Sequence, residues 1–587
     1  MPHVFDPSSP VAGNEMVRQS TKVRASMKPH ATHRMTCTRR AMSMSSADAS
    51  GFSESEVLNP VKSIDALPNE ILLLVFGLFL ARGFLTRPAD CWCHGFLPQR
   101  PLAVIEGVCR RWRECLIAAP SLWQSLRVVC SPEWLELGLV RSKNLPVDLA
   151  FCGPDLFLPS ALLLANIHRI RTLVLCRADV RASEVLDTLL ASPMHALEQL
   201  RIGAEEDTGA DCRWYGRHFS NHPKLRTIRL HNVRLDWAAG SALRHLRSID
   251  LTDTVEWRTG GPRIPFATMM RGLAACTNLE DLFIQGTVCA WNVADLMGDS
   301  GDRAPTVPLS RLRSLTIDCP SYGMEPDVYC FLAHVQVPVT AHVHIEANIA
   351  FDDDDDAPVV ESFVHYIPND DTCLPILRAA TSASVGSSNF FCWVDGGGSL
   401  SCQLHYEYPC SESDDSSHMS GFRQLFSRAL LKSLTIQSPM YPPIESWLRT
   451  FEAFPTLTTL RIESETHDEE LLEPFQGADM VLAALMQGDK ILPNLRALHI
   501  LNMDWDEDLL DTLCEALSTR AERGLYPLTN LCMEMSLRAE SEMEEMAKHQ
   551  HAMDRLRTLV DGCISWRCRL EAMGLPVRAD VPRLCTK

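Results

Sequence analysis

Aliphatic residues recur along this chain in a fixed frame. Three of them stand at the first, fourth and sixth places of a short segment. The frame repeats as Ile170/Leu173/Leu175, Leu197/Leu200/Ile202, Leu225/Ile228/Leu230, Leu246/Ile249/Leu251, Leu279/Leu282/Ile284, Leu312/Leu315/Ile317, Leu431/Leu434/Ile436, Leu457/Leu460/Ile462 and Leu495/Leu498/Ile500. Between most neighbours the start-to-start distance is 21 to 38 residues. The intervals carry helical amphipathic spacing, as in Ser183 to Ala191, Phe266 to Cys276, Asp479 to Met486 and Asp508 to Leu517. One strand plus one helix per unit is the module this predicts. Strand side chains alternate between two sides, so the fourth and sixth positions share one side, with Thr172, Thr227, Ser314, Thr459 and Ala497 on the other. Stacked units would bury the aliphatic side, giving an α/β repeat array over about 127 to 580.

The frame breaks between Ile317 and Leu431, an irregular section of about 318–430. There Val343, Ile345, Phe390 to Val394 and Leu400 to His405 suggest strands of uneven spacing around the loop Asp352 to Asp356. Met543 to Met573 reads as a charged helical segment that caps the array, stopped at Gly574-Leu-Pro-Val.

A different pattern precedes the array. Ser63-Ile-Asp-Ala-Leu-Pro-Asn-Glu leads into Ile71, Leu72, Val75, Phe76 and Phe79, spaced as one face of a helix. Pro68 suits the first turn and Glu70 complements the positive helix end. Pro101 opens a second helical pattern through Leu102, Ile105 and Val108 to Leu116, and Pro120 ends it. Ser121-Leu-Trp then turns into the strand-like Leu126 to Val129. An insertion, Gly83 to Gln99, separates the two helical patterns. Residues 1 to 60 are rich in Ser, Met, Pro and Arg without periodicity, which is the signature of a disordered tail. The spread of Arg18, Arg24, Arg34, Arg39 and Arg40 there also fits a mitochondrial presequence.

Composition narrows the function classes. Of the 587 residues, 46% are hydrophobic and 22% charged, so a large core is available. The net charge is −19, and residues 1 to 40 carry seven basic against two acidic side chains, which leaves −24 on the remainder. Such an acidic body argues against nucleic acid and anionic membranes as partners. The longest apolar run, Ile71 to Ala81, falls far short of the roughly 20 residues of a membrane span. The 22 cysteines are scattered through apolar segments (Cys176, Cys276, Cys514, Cys532), which fits reduced, buried thiols in the cytoplasm or nucleus.

Candidate chemistry is sparse. Cys91, Cys93 and His94 lack a second Cys/His cluster to complete a tetrahedral zinc site. Asp352 to Asp356 lack the alternating ligands and turn glycine of a calcium loop. No Lys-Ser/Thr follows Gly396-Gly-Gly-Ser399, which reads as a turn between strands and not as a phosphate cradle. His342 and His344 alternate with Val343 and Ile345, on the polar face of a strand. Ser411 to Ser417, with Glu412, Asp414 and Asp415, reads as a mobile acidic loop that could accept phosphate. No Ser or Cys stands in a hydrolase motif with a His. The chain is therefore expected to need no metal and no cofactor, and not to be an enzyme.

Leu67-Pro68-x-x-Ile71-Leu72, Phe76, then Val108-Cys109-Arg110-x-Trp112, and finally Pro120-x-Leu122-Trp123 resemble the F-box, most closely its form in large sets of fungal proteins. The resemblance covers residues 63–126 and implies a small all-α domain whose three helices bind a Skp-type adaptor, and through it a cullin-RING ubiquitin ligase. Carried over, Leu67, Pro68, Ile71, Leu72 and Phe76 would form the first contact ridge, and Val108, Cys109, Trp112, Leu122 and Trp123 would complete the box or its adaptor face. The array resembles degenerate leucine-rich repeats. At the ninth position, where that family places Asn or Cys, stand Ala178, Glu205, Val233, Thr254, Thr287 and Met503. The expected whole is a disordered tail (1–60), an F-box (63–126) and a leucine-rich-repeat-like α/β solenoid (127–580). It would serve as the substrate receptor of an SCF-type ligase, holding an unknown target protein in the cytoplasm or nucleus. The alternative is a repeat scaffold acting outside any ligase.

Overall fold

The computed structural model describes residues 64, 67–82, 99–128, 131–152, 159–178, 180–204, 214–253, 265–286, 305–319, 325–349, 362–406, 412–437, 440, 442–464, 477–487, 491–504, 507–537, 551 and 553–570. The 1–60 tail, Cys91 to His94, Asp352 to Asp356 and the stop at Gly574 lie outside them.

Three helices open the described chain: α1 (Asn69–Arg82), α2 (Gln99–Val108) and α3 (Arg110–Ala118). A 3₁₀ turn at Pro120–Trp123 leads to β1 (Ser125–Val128), α4 (Pro132–Arg141), β2 (Val147–Cys152) and β3 (Ile170–Ala178). The strands that follow are β4 (Gln199–Ala204), β5 (Thr227–His231), β6 (Ser248–Asp253), β7 (Asp281–Gly286), β8 (Ser314–Cys319) and β9 (His342–Ile349). Then come β10 (Ser382–Val385), β11 (Asn389–Trp393), β12 (Ser399–Tyr406), β13 (Ser433–Gln437), β14 (Thr459–Glu463), β15 (Ala497–Asp504), β16 (Leu528–Leu537) and β17 (Val560–Leu570). Together they make one 17-stranded sheet.

From β1 to β9 each strand lies parallel to its predecessor, as do β13 to β17. The aliphatic frame is in register throughout. Leu173, Leu200, Ile228, Ile249, Leu282 and Leu315 pair in one continuous row that runs on through Val343 and Leu400. All nine sequence-derived frames are buried at their first, fourth and sixth positions. They share one core with the covering helices, such as Val180–Ala191, Phe266–Ala275, Gly477–Gln487 and Glu507–Glu522.

The irregular section is where direction reverses. β11 runs antiparallel to both β10 and β12, while β12 is parallel to β9 and β10 is parallel to β13. In space the order there is β9, β12, β11, β10, β13. Antiparallel neighbours need only short turns, whereas parallel ones need a crossover, so the spacing of the frame lapses without any loss of pairing. Phe390 and Cys392, read in the reverse direction, carry the two buried rows across, opposite Cys402 and Leu400. Gly396-Gly-Gly-Ser399 makes the turn between β11 and β12, with Gly396 at φ +72.

The C-terminal expectation is corrected. Only 551 and 553–559 of the segment beyond Met543 are helical among the described residues, and Val560–Leu570 is the last strand, pairing Ile564 with Leu531 and Trp566 with Met533. Charges lie on both sides of residue 560, with Asp561, Arg567 and Arg569 inside the strand, and alternating Ile564 and Trp566 carry it. The acidic segment around Glu412 likewise opens a helix, Glu412–Leu425, in which Asp415 is buried. β2 falls outside the nine frames because Pro146 stands where the leading aliphatic residue would, whereas β16 carries the frame as Leu528/Leu531/Met533, with Met in place of the last aliphatic residue and all three buried.

One buried histidine makes the fold sensitive to acid. Met194 N–H donates to His222 Nδ1 at 3.3 Å, and burial pushes the His222 imidazole down to about 4. Between about 6.5 and 4 the unfolded chain binds a proton that the folded chain refuses. The contribution of this site is therefore complete above about 6.5 and lost as pH falls towards 4. His222→Gln is expected to remove about 2 kcal/mol of the stability difference between pH 7 and pH 4.5, measured by urea denaturation. An unchanged difference would exclude this site as the cause.

Candidate functional site

The first three helices fold around an inner row on α1, formed by Leu72, Phe76 and Leu80. It meets Leu102 and Ile105 of α2 and Cys115 and Leu116 of α3, all buried. The carbonyl of Pro68 accepts from the N–H groups of Ile71 and Leu72, both at 3.1 Å, which sets the start of α1. Arg111 of α3 fixes that start from outside: its guanidinium donates to Asn69 Oδ1 at 2.8 and 3.2 Å and also to the Leu67 carbonyl. Cys109 caps α3, its Sγ accepting from Trp112 N–H at 3.5 Å. The Trp112 ring lies 4.9 Å from that of Phe76.

Trp123 joins this bundle to the sheet. Its ring is wholly buried, its Nε1–H donates to the Leu116 carbonyl at 2.9 Å, and the Arg141 guanidinium of α4 sits 4.4 Å above it. Arg141 also pairs with Glu106 of α2. The Trp134 ring stands 5.5 Å from Trp123, and Ser131 caps α4 by accepting from Trp134 N–H at 3.2 Å. Below, Leu126 packs so closely on Gly138 that any Cβ there would displace it.

What remains outside is apolar. From Ile71 to Leu80 α1 has no polar side chain, so with 72, 76 and 80 turned inward and Leu73 half-buried against them, the side that faces water is apolar too. Leu74 is 64% exposed and Leu78 68%, with Ile71, Val75 and Phe79 also exposed. Val104 and Val108 of α2 and Ile117 of α3 add to this exposed apolar area. A helix that is hydrophobic all round is normally covered on every side, and a contiguous exposed patch of this kind marks a docking surface.

The ten residues singled out from sequence therefore divide. Pro68, Ile71 and Val108 are exposed, and Leu67, Cys109, Trp112 and Leu122 are half-buried. Leu72, Phe76 and Trp123 are buried and leave no side-chain surface for a partner, so they hold the helices together. The stripe read as one face, Ile71 to Phe79, splits into an inner and an outer half. Leu74, Leu78 and Val104 escape the sequence pattern, although the missing polar face of α1 is the signal that could have found them.

Elsewhere, His342 and His344 lie on the polar face of β9, with Nδ1 atoms 2.9 and 2.8 Å from Ser399 Oγ and Ser401 Oγ. The described cysteines are free thiols. No helix among the described residues is long and apolar enough to cross a membrane.

Comparison with known families matches residues 64–128 to the F-box-like family. The match takes in the three helices, the 3₁₀ turn and β1, and none of the later strands. No curated protein matches the chain. The chain thus carries an F-box-like domain, which supports its being an F-box protein. Domains of that kind generally bind Skp-type adaptors.

Proposed function

We propose that this chain is the substrate-receptor subunit of an SCF-type ubiquitin ligase, without catalysis of its own, acting in the cytoplasm or nucleus. The F-box-like helices would dock on a Skp-type adaptor and so on a cullin-RING scaffold. The parallel sheet and its helices, read as a leucine-rich-repeat-like solenoid, would hold a target protein. The mechanism is positional: tethering raises the effective concentration of target lysines near the charged ubiquitin carrier.

The observation that carries this reading is the uncovered apolar surface of α1 inside the family-matched segment. Exposed residues can be changed without touching the core, so docking and folding are separable here. Co-purification of the full chain with a Skp-type adaptor is the test. Leu74→Glu with Leu78→Glu is expected to weaken retention at least about tenfold while the melting temperature holds. Failure of the wild-type chain to retain the adaptor, or equal retention by the variant, would favour a scaffold acting outside a ligase.

A further inference from the structure

The polar face of the sheet, opposite the aliphatic rows, is not uniform. Strands β1, β4 and β5 each bring arginine to it (Arg127, Arg201, Arg229), and β14 brings Arg461. The eight strands between β5 and β14, from β6 to β13, contain no Lys or Arg at all. They are also contiguous in space. Arg229 and Arg461, at the borders, are engaged by Asp250 at 3.3 Å and Glu463 at 2.9 Å. Arg247 and Arg313, at the leading ends of strands, share Glu280 at 3.4 and 3.7 Å.

Inside this cation-free zone two features stand close together. Asp318 of β8 and Glu346 of β9 are direct cross-strand partners, a like-charge arrangement that is unfavourable by itself. Gln285 Nε2 donates to Asp318 at 2.6 Å, while His405 and His344 reach the two Glu346 oxygens at 2.8 and 3.5 Å. Burial, followed by the Glu346 charge, pushes the Asp318 carboxyl up. The second feature is the reversed strand β11, which puts Phe391 and Trp393 on the same polar face, ring centroids 5.3 Å apart, with Phe391 42% exposed. Phe391 is flanked by Ser384 and Ser401, and Trp393 by Ser382 and Ser399, short side chains on both neighbouring strands that leave Phe391 exposed and Trp393 half-buried. One strand, β12, separates β11 from β9 and two separate it from β8, which places Glu346 about 10 Å and Asp318 about 15 Å to one side of the rings.

We infer that the middle of this face, around Phe391, Trp393, Asp318 and Glu346, binds an extended target segment carrying a lysine or arginine within a few residues of an aromatic or large aliphatic side chain. The cation would relieve the carboxylate repulsion, and the apolar side chain would cover Phe391 and the open part of Trp393, where an arginine could also stack. An acidic segment would add to the two negative charges already there and is disfavoured. This rests on the receptor reading only for calling the occupant a target.

The test uses a random linear twelve-residue display library selected on the full chain, with and without a Skp-type adaptor bound. Expected is enrichment of peptides pairing Lys or Arg with a nearby aromatic or aliphatic residue. For the best synthetic peptide, Phe391→Ser should weaken binding at least about tenfold. Glu346→Gln should weaken it severalfold and reduce its sensitivity to salt. Both positions are solvent-facing, and an unchanged melting temperature verifies the fold. No enrichment, enrichment of acidic peptides, or affinity unchanged in both variants would overturn the inference. Loss of adaptor retention with peptide selection intact would instead count against the ligase reading alone.

Discussion

Trp123→Ala is expected to destabilise the chain by about 3–5 kcal/mol, the range for deleting a buried aromatic side chain. The ring is where the 3₁₀ turn meets α3 and α4: it is wholly buried, bonded to the Leu116 carbonyl at 2.9 Å, covered by Arg141 at 4.4 Å and packed near Trp134 at 5.5 Å. Alanine would leave a cavity, a Leu116 carbonyl with only the Ala119 N–H at 3.3 Å as donor, and an arginine without its ring. Trp123→Phe keeps most of the volume and loses the Nε1 bond, so it should cost much less, about 1–2 kcal/mol. Guanidinium denaturation of the full chain reads both variants. Adaptor retention should fall with the alanine variant because the helices that carry the outer apolar surface lose their anchor. An alanine variant within about 1 kcal/mol of wild type would show that Trp123 is not the junction proposed for it.

Gly398→Ala is expected to cost at least about 3 kcal/mol, more than most single substitutions. Gly398 lies where β12 enters the sheet beside β9. A Cβ there would collide with the Ala341 carbonyl oxygen and lie 2.7 Å from the Val339 carbonyl oxygen, both backbone atoms that no rotamer change can move. The same stretch is stitched by Gly398 N–H to Val339 O at 3.2 Å and Ser399 N–H to Ala341 O at 3.1 Å. Relieving the clash would break this seam, through which the first nine strands connect to the rest of the sheet. Gly396→Ala, two residues earlier, is the control. Gly396 has φ +72 and open space around it, so only backbone strain of about 1 kcal/mol is expected. Thermal or denaturant unfolding should separate the two variants clearly, and equal losses would mean that the contact with 339–341 does not hold the seam.

Sequence pattern was legible where a residue's role depends on its near neighbours. The nine frames recur as nine strands because alternation places Leu173 and Leu175, or Leu460 and Ile462, on one side whatever lies beyond. The helices Phe266–Ala275 and Gly477–Gln487 follow from local periodicity in the same way. The motif residues of the F-box-like segment were legible too, and they fall within the matched 64–128. Their division into inner and outer was not. On α1 every residue from 71 to 80 is apolar or glycine, so periodicity cannot say which side meets α2 and α3.

The reversal at β11 is the other feature that only tertiary structure decided. Phe390, Cys392 and Trp393 read equally well as a parallel or an antiparallel strand, because alternation has no direction. What sets the direction is pairing with strands distant along the chain. Its consequence, an exposed Phe391 paired with the half-buried Trp393 on the same face as the carboxylates of β8 and β9, cannot be seen in any single segment. The sequence by itself determined which segments become strands and helices and which strand positions bury, since these follow from side-chain alternation and apolar spacing over a few residues. The fold decided strand order, direction and which apolar side chains stay outside, since those depend on contacts between groups tens of residues apart.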